Sequence, residues 1–159
     1  MLHLDIVALG KLKEAYWREA EAEYLKRLSP FAKVTIHELK EEPFGEKDSL
    51  ELIKKKEAEK ILLELAKIKN SFIIILDERG KEFSSVELTE QINKRAMEQL
   101  NNLTFIIGGP LGLHQTILAK ADLKLSLSRL TFTHQMARVF LLEQMYRAMM
   151  ITAGRTYHH

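Results

Sequence analysis

The chain has 159 residues, 46% hydrophobic and 29% charged, the length of one domain and the balance of a soluble globular protein, which excludes disorder and collagen-like repeats. It has no cysteine, so disulfide scaffolds, Cys-ligated zinc or iron–sulfur sites and thiol catalysis fall away. The net charge of +2 conceals an asymmetry: residues 1–100 carry 18 Lys/Arg against 20 Asp/Glu, and residues 101–159 carry six against two, a basic C-terminal third that permits a polyanion partner.

Leu2 to Gly10 is short, apolar and closed by glycine, and reads as a largely buried strand. It is too short for a signal peptide and contains Asp5, and no apolar run approaches the roughly 20 residues that cross a bilayer, so a cytoplasmic protein with no membrane segment is expected. Between Glu14 and Leu28, Trp17, Ala20, Tyr24 and Leu28 recur at helical spacing, and Pro30 ends the pattern. Ala32 to Leu39 alternates as a second strand, and Glu41 to Gly45 is a loop. Asp48 with Glu51 predicts a capping box ahead of a Lys/Glu-rich helix. Phe72 to Leu76 is a continuous apolar run, expected as a covered strand at the centre of a sheet. Asp77 to Lys81 reads as a turn, and Ser84 with Glu87 as a second capping box, opening a helix to about Leu100.

Leu103 to Ile107 is another buried strand and runs into Gly108-Gly109-Pro110-Leu111-Gly112. A short helix from Leu113 to Lys120, a strand from Leu123 to Leu127, a loop from Ser128 to Phe132 and a strongly apolar helix from Thr133 to Thr152 complete the order. Alternating strands and helices predict an α/β fold, a mainly parallel sheet with helices on both faces. Ligands of such sheets bind where the loops converge at the C-terminal strand ends. That singles out the loops after Leu76, at Gly108 and after Leu127.

The three glycines from Gly108 to Gly112 fit either a tight turn or a close backbone approach to a ligand. They match neither dinucleotide nor phosphate-loop spacing, and Pro110 removes an N–H that a phosphate cradle would use. The loop from Leu127 to Phe132 is apolar for a connection, as expected if it is packed under other elements or wraps a flat base. His134 and Arg138 share a helix face and are either a surface pair or a grip on phosphate. The last helix is apolar on more sides than one sheet can cover, which predicts a symmetric homodimer. Arg155, Tyr157 and His158 in the tail are of types that hold RNA by charge and stacking; His158 and His159 are equally consistent with a purification-tag remnant, and a metal there lacks a nearby carboxylate.

The segments Phe105-Ile106-Ile107-Gly108-Gly109 with Gly112-Leu113, Leu125-Ser126-Leu127-Ser128 with Leu130-Thr131, His134-Gln135 with Arg138-Val139, Glu143-Gln144 with Tyr146-Arg147-Ala148, and Tyr157-His158 resemble the RlmH family. Val7 to Glu14 and Leu76 with Gly80-Lys81 and Ser84-Ser85 resemble it too, so the likeness spans the chain. The resemblance implies one SPOUT-class methyltransferase domain over residues 1–159 with a C-terminal trefoil knot. It also implies a homodimer that methylates N3 of a pseudouridine in large-subunit (23S) ribosomal RNA. S-adenosylmethionine would be held by Leu76, Gly108, Leu127, Ser128, Arg129, Leu130, Thr131 and Phe132. No metal is implied. His134, Arg138, Tyr157 and His158 are the catalytic candidates, with Arg138, Arg155, Tyr157 and His158 toward the RNA, as the assembled ribosome, the free subunit or naked RNA. Thr133 replaces the family's usual proline, and His159 its usual terminal Lys or Arg. Two rivals stand beside this reading: an RNA-binding or ribosome-assembly protein without methyl transfer, and a nucleotide hydrolase, for which only Asp77 and Glu78 would offer acids at a strand end.

Overall fold

A computed structural model describes residues 1–157. Five parallel strands, β1 (Leu2–Leu9), β2 (Ala32–Leu39), β3 (Phe72–Glu82), β4 (Asn102–Ile107) and β5 (Leu123–Ser126), form one sheet in the order β2-β1-β4-β3-β5. The helices are α1 (Ala15–Leu28), α2 (Leu50–Leu65), α3 (Ser85–Met97), α4 (Gln115–Leu118) and α5 (His134–Thr152).

Strand side chains alternate, so β1 sends Leu4, Ile6 and Ala8 to one face and Val7 and Leu9 to the other. The first set joins Phe105, Leu28, Leu88, Ile92, Leu141 and Met145 in the core beneath α1, α3 and α5. The second joins Ile75, Ile106, Ala58, Ile61 and Ile117 beneath α2 and α4. Helices therefore cover both faces, as continuous apolar strands require. The central strand is β4, whose Leu103 to Ile107 are all buried, whereas β3 lies one place toward the edge, between β4 and β5.

Four local expectations change. Asp48 does not cap α2; Ser49 does, accepting from the Leu52 N–H, while Asp48 accepts from the Gly45 N–H at 2.6 Å. Asp77 to Lys81 is no simple turn: β3 continues to Glu82, and its pairing with β5 jumps from Leu76 to Lys81 across a bulge. Gly80 is required there, because a Cβ would lie 2.6 Å from the Lys124 carbonyl oxygen. Helix α3 stops at Met97, and Gln99 then takes a positive φ of 61°. Helix α4 spans Gln115 to Leu118 and is capped by His114. The Ser84–Glu87 capping box forms reciprocally, and Thr133 caps α5 through the Met136 N–H.

Candidate cofactor and active site

The C-terminal ends of β3, β4 and β5 open into a cavity of about 820 Å³, within the range that encloses a small ligand. All three singled-out loops meet in it. Leu76, Gly108, Leu127, Ser128, Leu130, Thr131 and Phe132 line it, and Arg129 does not. The Arg129 side chain is 88% exposed and turns toward Glu82, 3.4 Å away, so this side chain stands outside the cavity.

The loop after β5 is tied to the extended end of β3. The Ser126 hydroxyl reaches the carbonyls of Glu78 and Ser128, and the Thr131 hydroxyl donates to the Glu78 carboxylate at 2.7 Å. Leu130 is 71% exposed, so the apolar loop is not packed under other elements at its tip. Phe132 meets Phe140 edge to face, centroids 5.3 Å apart. Burial works against ionisation of the Asp77 carboxyl on the wall, but hydrogen bonds from the Arg79 backbone N–H and guanidinium prevail and hold it below the usual aspartate range.

Fit for S-adenosylmethionine rests on three features of these residues. Leucines and Phe132 offer apolar surface to a base, Gly108 leaves a close approach where a Cβ would come 3.0 Å from Leu113, and the acids Asp77 and Glu78 suit a sulfonium cation. Pro110 in the same wall offers no N–H to a phosphate.

His134 lines the cavity at the first turn of α5. Arg138, one turn further, does not reach it. Its side chain is 3% exposed, its guanidinium is held by Glu21 through Nε and Nη2, and Nη1 donates to Glu38 at 2.7 Å. Its assignment to RNA contact or catalysis is therefore corrected: the charge is buried, and it locks α5 to α1 and β2.

At the far end of α5, Tyr157 packs edge to face on Tyr146 at 5.1 Å, and the Arg147 guanidinium lies 4.5 Å from its ring. Arg155 is exposed, with its guanidinium 5.9 Å from the Phe31 ring. Burial and the Tyr157 hydroxyl push the Tyr24 phenol up. Tyr146 is twelve positions along α5 from His134, about 18 Å at 1.5 Å per residue, so one chain does not bring Tyr157 or Arg155 to its own cavity. His158, and His159 with it, lies outside the described residues.

Sequence reasoning missed Glu41 and Glu57. Glu41 approaches His134 from the loop after β2, with 3.6 Å between Oε1 and Nε2. Glu57 of α2 is 4% exposed and accepts from the Glu42 N–H at 3.1 Å. Burial, with the Glu41 charge as a lesser cause, pushes its carboxyl up. Among the described residues, no group of His, Cys, Asp and Glu could hold a metal, and no helix is long and apolar enough to cross a membrane.

A parallel α/β sheet with a small-molecule cavity at its C-terminal strand ends defines a class of ligand-binding α/β enzymes. The family model described as "Predicted SPOUT methyltransferase" matches residues 2–158. The chain is similar to "Ribosomal RNA large subunit methyltransferase H" of Carboxydothermus hydrogenoformans, 46% identical over 160 residues and 99% of each chain. It is also similar to the protein of that name from Pelotomaculum thermopropionicum, 43% identical over 162 residues and all of each chain. The chain belongs to the SPOUT methyltransferase family, and is thus an enzyme of methyl transfer rather than a nucleotide hydrolase.

Proposed function

We propose that this protein is a cytoplasmic, S-adenosylmethionine-dependent methyltransferase that acts on N3 of a pseudouridine in large-subunit ribosomal RNA. The observation that carries the reading is the convergence of the loops after Leu76, at Gly108 and after Leu127 on one cavity, in a chain alike from end to end to two ribosomal RNA methyltransferases. Residues 1–159 act as one domain. We infer a C-terminal trefoil knot from membership of the SPOUT family; β5 is at the sheet edge, and α5 returns across the sheet to pack on both α1 and α3.

The cofactor, when bound, supplies an activated methyl group on sulfur. The cavity walls would hold the cofactor and the base together, and positioning of this kind would supply much of the rate without a covalent enzyme intermediate. For N3 to accept that methyl group it would have to give up a proton. His134, the cavity's imidazole, is the group to receive it.

The working unit is a homodimer. Support comes from Phe140, 39% exposed on an α5 otherwise rich in buried apolar residues, and from the tail, which is remote from its own cavity. Tyr157, Arg155 and His158 of one chain would serve RNA at the partner's cavity. The test is incubation with labelled cofactor and intact ribosomes, free large subunits or naked RNA, with mapping of the methylated base. Label on one pseudouridine is expected; RNA binding with no label in any of the three would overturn the reading in favour of an RNA-binding protein.

A further inference from the structure

His134 and Glu41 each carry a buried polar atom, Nε2 and Oε1 respectively, without a hydrogen-bond partner. The two atoms face each other at 3.6 Å, too long for a hydrogen bond and too close to be unrelated. Gly10 makes the space in which they meet. It has φ +90°, and a Cβ there would come 2.1 Å from Glu41 Oε1 and 2.9 Å from His134 Nε2.

The backbone that carries Glu41 is pinned on both sides. Before it, the Leu39 carbonyl accepts from the Gly10 N–H at 2.8 Å. After it, the Glu42 N–H donates to Glu57, and the Glu42 carboxylate pairs with Lys60 at 2.6 Å. The Glu41 carboxylate faces the side chain of His134, the first residue of the 19-residue helix α5. Burial pushes the carboxyl of the neighbouring Glu57 up.

We propose that Glu41 is a positioning residue for methyl transfer: its carboxylate accepts the Nε2–H of His134 and thereby fixes the ring tautomer whose Nδ1 lone pair is free to take the substrate proton. This rests on the function proposed above. Nε2 is enclosed, which leaves Nδ1 as the ring nitrogen to serve a ligand, and a neutral imidazole has a lone pair there only if its proton is on Nε2. The bond requires the 3.6 Å separation to shorten into hydrogen-bond range. The proton passes from N3 to Nδ1, leaving an imidazolium next to the Glu41 carboxylate and no net change in proton count.

The experiment has two arms on the full chain, with Glu41→Gln and Glu41→Asp as variants. Long-range proton–nitrogen NMR of the His134 ring at alkaline pH reads the tautomer. The wild type should show Nε2–H, Glu41→Asp should retain it, and Glu41→Gln, whose amide can donate to Nε2, should shift the ring toward Nδ1–H. Single-turnover methylation should fall about 100-fold in Glu41→Gln and recover in part in Glu41→Asp, with cofactor affinity by titration unchanged within about twofold. An unchanged tautomer in Glu41→Gln, or an unchanged single-turnover rate, would overturn the proposal. The tautomer arm requires no methyl transfer, so its failure is separate from failure of the methyltransferase reading.

Discussion

The two ends of α5 differ in how their polar groups are satisfied. At the N-terminal end, beside the cavity, His134 Nε2 and Glu41 Oε1 are buried without a hydrogen-bond partner. At the C-terminal end, Arg147 bonds Glu143, and Tyr157 packs edge to face on Tyr146 with the Arg147 guanidinium over its ring. Between them, the buried Arg138 is ion-paired with Glu21 and Glu38. Unmet polar capacity costs free energy, and two of the three such buried atoms among the described residues, the third being Glu14 Oε2, meet where α5 borders the cavity, while the satisfied middle holds the helix in place.

The largest expected effect falls on that middle. Arg138→Met strands Glu21 and Glu38 without their cation and should lower stability by about 3 kcal/mol, read as a reduced urea midpoint. A loss below about 0.5 kcal/mol would place Arg138 among ordinary surface charges. Next, removal of the tail after Ala153 should reduce methylation about 100-fold while leaving cofactor binding at the other end of α5 intact; full methylation by the truncated chain would remove the tail from the mechanism. Ser84→Ala, outside the cavity lining, should cost about 1 kcal/mol through the lost α3 cap, measured by thermal unfolding, with activity unchanged.

Two carboxyls sharpen the contrast through pH. Glu87 is held below the usual glutamate range by the Ser84 backbone N–H and hydroxyl. Its contribution to stability is therefore present above the unfolded-state pKa and is lost as pH falls through the folded value. Glu87→Gln should flatten the acid side of the stability profile. Glu57 is shifted the opposite way, upward by burial. The protonated group is favoured by folding, so its contribution is present below the unfolded-state pKa and is lost as pH rises through the folded value. Glu57→Gln should gain on the wild type between acid and neutral pH; unfolding temperatures that stay parallel across that range would contradict this.

Much of the fold was legible because it is encoded locally. Apolar runs marked β1 and β4, and the three-residue spacing of Ser84 and Glu87 marked the start of α3. The end of β3 was not, since Asp77-Glu78-Arg79-Gly80-Lys81 has turn chemistry and becomes strand only by pairing with β5 around a bulge. The cavity loops were legible as the segments that follow apolar strands. Arg138 was not: Glu21 and Glu38, which turn a helix-surface cation into a buried lock, lie 117 and 100 positions away in sequence. Glu41 was hidden for the same reason. Gly10 was the available trace of it, a glycine closing a strand at a spot where no side chain fits.

The central claim, a cavity from one chain completed by the tail of another, is tested most directly by complementation. Gly108→Val crowds Leu113 and should abolish cofactor binding, while the chain cut after Ala153 keeps its cavity and lacks the tail. Each alone should fail to methylate ribosomal RNA. Mixed and allowed to exchange subunits, they should regain activity, because one chain brings the cavity and the other the tail; no recovery in dimers shown to be mixed would contradict the account.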